Sequence, residues 1–206
     1  MPGMKDICTS LFARSASADT QPRGGKLLLA QPFMDENYFS HSVVSLLDYD
    51  PKGGAMGVVL NHPSPSRLAD LVDDCDVRTD IRVYCGGPLA LDRLFFLHTL
   101  GADIIPGARP YMDGMYVGGD FDAVLDYANS GYPLEGRVRF FVGYSGWEEG
   151  QLEGEIAEGT WALSEPPASA SELLKGSDDA FWHRCVRLLG PEFRSWRLVP
   201  RMACAN

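Results

Sequence analysis

Residues 137–158 read RVRFFVGYSGWEEGQLEGEIAE, and this stretch decides the fold. Val138, Phe140, Phe141 and Val142 are β-branched or aromatic, which suits a pleated, half-buried strand. Gly143-Tyr144-Ser145-Gly146-Trp147 follows, and its two glycines predict a tight turn. Residues 149–158 are acidic and helix-prone, with Leu152 and Ile156 four apart on one face. Strand, turn and helix in immediate succession is the working unit of a layered α/β protein.

The rest of the chain extends that unit. Residues 26–31, KLLLAQ, form a short apolar run stopped by Pro32, a buried strand by length and punctuation. Residues 41–48 and 54–61 are two more strands, and the turn residues 50–54, DPKGG, join them as a hairpin. Gly57 inside the second strand marks a bulge or a close backbone approach. Pro65-Ser66 opens a short helix striped by Leu68, Leu71 and Val72. Strands at 81–84 and 94–98 precede a loop rich in proline and glycine, then a strand at 115–117. Asp120 caps a helix carrying Phe121, Val124, Leu125 and Ala128. A strand at 160–163, helices near 171–174 and 179–189, and an extended, proline-broken last fifteen residues complete the reading. Hairpins mixed with helical crossovers predict an α/β fold of α+β character built on a mixed sheet. A single domain spans 25–206, and the polar residues of 1–24 predict a flexible tail.

Composition narrows the function classes. The 206 residues are 45% hydrophobic and 22% charged, ordinary for one domain able to bury a full core. A formal net charge of −10 repels phosphate backbones and anionic membrane surfaces, so direct nucleic-acid binding is disfavoured. The basic cluster Arg184, Arg187, Arg194, Arg197 and Arg201 reads as a solvated face or a set of ion-pair partners. Cys8, Cys75, Cys85, Cys185 and Cys204 are odd in number and scattered, as are His41, His62, His98 and His183, so neither a disulfide framework nor a metal site is expected. No apolar run approaches the ~20 residues of a membrane span, and residues 1–25 lack the apolar core of a signal peptide. The expectation is a cytoplasmic protein without cofactor.

Three constellations could carry chemistry. Glycines follow strands at Gly86-Gly87, Gly118-Gly119, Gly143 and Gly146, where a helix-opening turn can offer N–H groups to an anion. No phosphate-loop signature or neighbouring lysine accompanies them, and positive φ in tight turns is the favoured reading. Gly143-Tyr144-Ser145-Gly146-Trp147 invites comparison with a nucleophile elbow, with Asp178 or Asp179 and His183 or His62 as partners of Ser145. Trp147 stands where the elbow needs its second glycine, which argues against a serine hydrolase. Trp147, Gln151 and Glu155, at i, i+4 and i+8, predict a polar line on one helix face suited to a pocket rim. Asn61 reads chiefly as a turn residue bonding its own backbone, and Cys85 lacks the basic neighbour that would activate its thiol.

The segments 25–34 (GKLLLAQPFM), 39–63 (FSHSVVSLLDYDPKGGAMGVVLNHP), 84–89 (YCGGPL), 94–98 (LFFLH), 113–124 (DGMYVGGDFDAV) and 139–156 (RFFVGYSGWEEGQLEGEI), with the terminal Asn206, resemble the YqgE/AlgH family of bacterial proteins. The resemblance covers about residues 25–206 in order. It implies a three-layer sandwich around a mixed sheet, with a smaller two-layer lobe. It brings a transcriptional-regulator label but no established activity, cofactor or catalytic residue, and Cys85 departs from the family pattern before Gly-Gly-Pro. The expected function is therefore binding of a small molecule or protein partner, with Ser145 hydrolysis the alternative. The expected site lies at the strand ends: Asn61, Gly86, Gly87, Gly119, Ser145, Trp147, Gln151 and Glu155.

Overall fold

The computed structural model describes residues 21–34, 38–72, 80–177 and 179–199. Within them run β1 (Leu27–Ala30), β2 (Val43–Asp50), β3 (Gly54–Val59), β4 (Pro63–Arg67), β5 (Arg82–Cys85), β6 (Leu89–His98), β7 (Arg109–Met112) and β8 (Met115–Val117). They continue with α1 (Phe121–Asn129), β9 (Val138–Trp147), α2 (Gln151–Ala157), β10 (Trp161–Ser164) and α3 (Asp179–Val186). The ten strands join one sheet in the order β10-β1-β2-β3-β9-β6-β8-β7, with β4 paired to β5. The sheet is mixed: β5 runs parallel to β9, and the other pairs are antiparallel.

β9 is the hub. One edge pairs with β6, and the other is shared between β5, against 140–142, and β3, against 145–147. Where β3 and β5 part, Gly86 fills the fork: its carbonyl accepts from Val59 N at 2.8 Å and its N–H donates to Val142 O at 2.8 Å.

Alternation along the strands covers both faces of the sheet. Leu27, Leu29, Val43, Val58 and Phe141 face a cluster with Phe181, Trp182, Phe193 and Trp196 from the C-terminal part of the chain. Leu28, Val44, Leu46 and Val59 face the opposite way, onto Leu152 of α2 and onto Trp147 and Trp161. Val83, Phe96 and Phe140 pack with Val124 and Ala128 of α1. Helices thus lie on both faces of the sheet, and both faces carry a buried hydrophobic core. The Trp182 indole donates to Ala30 O at 3.1 Å, tying α3 to β1.

Buried Arg139 on β9 performs a similar tie. It donates to Leu60 O at 2.6 Å and Gly176 O at 2.9 Å, and its guanidinium lies 4.2 Å from the Tyr84 ring centroid. Burial pushes its pKa down to about 10, so it stays charged at neutral pH.

The hairpin of β2 and β3 and the Asp120 cap, which accepts from Ala123 N at 3.0 Å, match the sequence reading. Four segments differ from it. Residues 143–147 continue β9 as strand instead of turning. Gly143, at φ +71, lies opposite the register shift in which β6 carries four residues, 90–93, against this one, and the strand then pairs with β3. Residues 63–67 are strand, because β4 pairs on one side only and an edge strand tolerates prolines 63 and 65, and the expected short helix is a single 3-10 turn that starts later, at Leu68–Asp70. Residues 109–112 form β7, a terminal strand that accommodates Pro110 for the same reason. Residues 191–198 form a 3-10 helix with Pro191 in its first turn, not an extended tail. Phe193 and Trp196, three apart, turn inward there. Most of the expected N-terminal tail, together with Asp178, Cys8, Cys75, Cys204 and Asn206, lies outside the described residues.

Candidate functional site

β9 ends at Trp147, and Glu148-Glu149-Gly150 carries the chain into α2. Gly150 takes φ +74, a conformation that glycine adopts without strain. The Gln151 side chain folds back so that its carbonyl oxygen accepts from Glu148 N at 3.0 Å. That leaves its amide N–H free to donate to Glu155 Oε1 at 2.8 Å. The other carboxylate oxygen of Glu155 accepts two indole N–H groups, from Trp147 at 2.8 Å and from Trp161 at 2.7 Å. Leu152, wholly buried, anchors this short helix and contributes about 1.5–3 kcal/mol by burial alone.

Trp147, Gln151 and Glu155 therefore do converge, but not as one helix face. Trp147 belongs to the strand, and the glycine turn swings Gln151 and Glu155 back over it. The three line a cleft of about 500 Å³ whose walls include Phe39, Leu89 and Trp161. Phe39 and Trp147 each meet Trp161 edge-on, with centroids 5.4 and 5.9 Å apart. Trp161 escaped sequence reasoning because it sits on the next strand, and only the pairing of β10 with β1 brings it here.

The other five expected residues serve the scaffold. Asn61 is buried, accepting from Val43 N at 2.9 Å and donating to His41 O at 2.9 Å. Its amide extends the β2–β3 ladder instead of closing a local turn. A Cβ on Gly87 would stand 1.9 Å from the Tyr144 carbonyl carbon, and one on Gly86 would stand 2.3 Å from Gly143 O. These glycines let the loop after β5 cross β9 at backbone contact. Ser145 is buried, and its hydroxyl donates to Gly86 O at 3.2 Å. Gly119, at φ +117, packs against residues 105–108 and lines a different groove with Phe121 and Leu94. The eight residues do not surround one cleft.

The elbow reading finds no geometric support. His62 lies 3.3 Å from the Ser42 hydroxyl, while His183 packs beside His41 and Trp182. Cys85 is a free, half-buried thiol whose backbone N–H donates to His62 O at 2.8 Å. No group of three or more potential metal ligands occurs among the described residues, and no helix among them is long and apolar enough to cross a membrane.

Sheet, covering helices and cleft define a mixed α/β protein with a pocket at the end of its central strand. Its sequence matches the model of the AlgH-like family over residues 27–194, and the chain belongs to that family. It is 38% identical over 203 residues to a UPF0301 protein of Bacteroides fragilis, covering 98% of this chain and all of the relative. A UPF0301 protein of Parabacteroides distasonis is also 38% identical, covering 89% of this chain and 91% of its own. The solution structure of the AlgH protein of Pseudomonas aeruginosa superposes with a TM-score of 0.66 at 26% identity, covering 93% of this chain and 99% of that one. A crystal structure from Corynebacterium diphtheriae shares the fold, with a TM-score of 0.67 at 20% identity over 92% of this chain and 97% of that one.

Proposed function

We propose that this protein binds a small molecule in the cleft between β9, α2 and β10, without chemistry performed on it by Ser145. The observation that carries the reading is the convergence of Trp147, Gln151 and Glu155 on a cavity of about 500 Å³ with aromatic walls. A concave, mostly apolar site with a few fixed polar groups is the usual form of a ligand pocket. Direct nucleic-acid contact is not part of this reading, because the net charge of −10 opposes it. Any regulatory role would then pass through the ligand or a protein partner.

A thermal-shift screen of the full chain against a metabolite library tests the proposal. Hits are then located by NMR through the four indole N–H resonances. The expected result is a stabilising compound that moves the Trp147 and Trp161 signals and leaves Trp182 and Trp196 in place. A screen without hits, or hits that move only Trp182 and Trp196, would count against the cleft.

A further inference from the structure

Among the described residues that line the cleft, Glu155 carries the only formal charge, and none of them is Lys, Arg or His. Its three hydrogen-bond donors are neutral, two indoles and one amide. Among the described residues it makes no ion pair. An ionised carboxylate offers about four lone-pair sites. Two on Oε2 are taken and one on Oε1, so one acceptor site on Oε1 remains. A negative charge held by neutral donors beside Phe39, Trp147 and Trp161 is electrostatically unfinished.

The ligand that completes it brings a cation. Resting on the proposal that this cleft binds a small molecule, we infer that the ligand class is an organic ammonium, a protonated amine on an apolar or aromatic body. The ammonium N–H fits the free acceptor on Oε1, and the body fits the apolar walls of Phe39, Leu89 and the tryptophans. Aromatic rings add attraction for a cation placed beside them. An anion would meet Glu155 with no basic residue to offset the repulsion. The chain's net charge of −10 also raises the local concentration of cations.

Three probes of one shape separate the class from the site: phenethylammonium, 2-phenylethanol and phenylacetate. Each is titrated at millimolar concentrations into the full chain, with binding read from the Trp147 and Trp161 indole resonances. Phenethylammonium should bind at least about tenfold more tightly than the alcohol, the scale of one part-screened charge pair. Phenylacetate should bind more weakly still. Glu155→Gln should bring the ammonium's affinity down to the alcohol's. Because that variant also disturbs the indole bonds, Thr160→Lys serves as a second test, placing a cation in the cleft with Glu155 intact, and it too should abolish the ammonium preference. Equal or tighter binding of the alcohol or of phenylacetate overturns the ammonium assignment while leaving a ligand cleft standing. Absence of binding by all three overturns the assignment as well, and the library screen then decides the cleft separately. An ammonium preference that survives both substitutions removes Glu155 as its source.

Discussion

Glu155 links two strands and a helix through single atoms. Its Oε2 satisfies the indoles of Trp147 and Trp161, which are only 7% and 3% exposed, so removing it strands two nearly buried donors. At about 1–3 kcal/mol per stranded donor, Glu155→Ala should cost about 2–4 kcal/mol, moderated by water reaching this half-exposed position. Glu155→Gln keeps one acceptor oxygen and should cost about half as much, and urea unfolding followed by circular dichroism measures both. An alanine variant as stable as the parent would mean that the indoles find other partners. Asn61 invites a sharper comparison, because both ends of its amide are used. Asn61→Ala should cost about 2–3 kcal/mol through the unpaired Val43 N–H and His41 carbonyl. Asn61→Asp should be at least as damaging in the same unfolding measurement, since it sets a carboxylate oxygen against the His41 carbonyl.

At the scale of elements, the 86–87 loop crosses β9 so closely that an added Cβ on Gly87 would stand 1.9 Å from the Tyr144 carbonyl carbon. Gly87 has no positive φ, so its need for glycine is purely steric, and Gly87→Ala should exceed about 4 kcal/mol or prevent folding. Gly150 is the opposite case, with φ +74 and nothing within 4 Å of an added Cβ. Gly150→Ala should cost only about 1–2 kcal/mol, the strain of a left-handed residue. Thermal unfolding of the two variants checks the order, and equal losses would contradict the steric assignment. This pair also marks what was legible in the sequence. Local signals sufficed for the β2–β3 hairpin, the Asp120 cap and the alternating strands, because turn chemistry and periodicity act over a few residues. The glycines of 143–147 misled, because a kinked strand and a turn use the same residue and only pairing with β3 distinguishes them. The prolines of β4 and β7 misled likewise, since edge position is a property of the assembled sheet. In the cleft, Gln151 and Glu155 were legible from their i, i+4 spacing, whereas Trp147 meets them from the end of the strand across the Gly150 turn, and Trp161 and Phe39 arrive through tertiary packing alone.

At the scale of the whole molecule, stability should depend on pH through a buried histidine. His98 has no exposed surface, with Nδ1 accepting from Leu100 N and Nε2 donating to Gly118 O, so the fold holds the neutral ring. Burial lowers its pKa below the ordinary 6.5. Protonation then favours the unfolded chain. This contribution is fully present above about pH 6.5 and is lost as pH falls through the depressed folded value. Denaturant midpoints should therefore be lower at about pH 5 than at about pH 8, the range over which histidines titrate. The fall should be smaller in His98→Gln, and an identical pH dependence in the two proteins would contradict the assignment. Ligand binding in the cleft between the end of β9 and α2 is tested most directly by following the four indole N–H signals while candidate metabolites are added. Trp182, bonded to Ala30 O, and Trp196, buried beside it, serve as internal references away from the cleft. The Trp147 and Trp161 signals should move together and saturably, with the two references unmoved. Compounds that stabilise the protein while leaving Trp147 and Trp161 unchanged would contradict binding in the cleft.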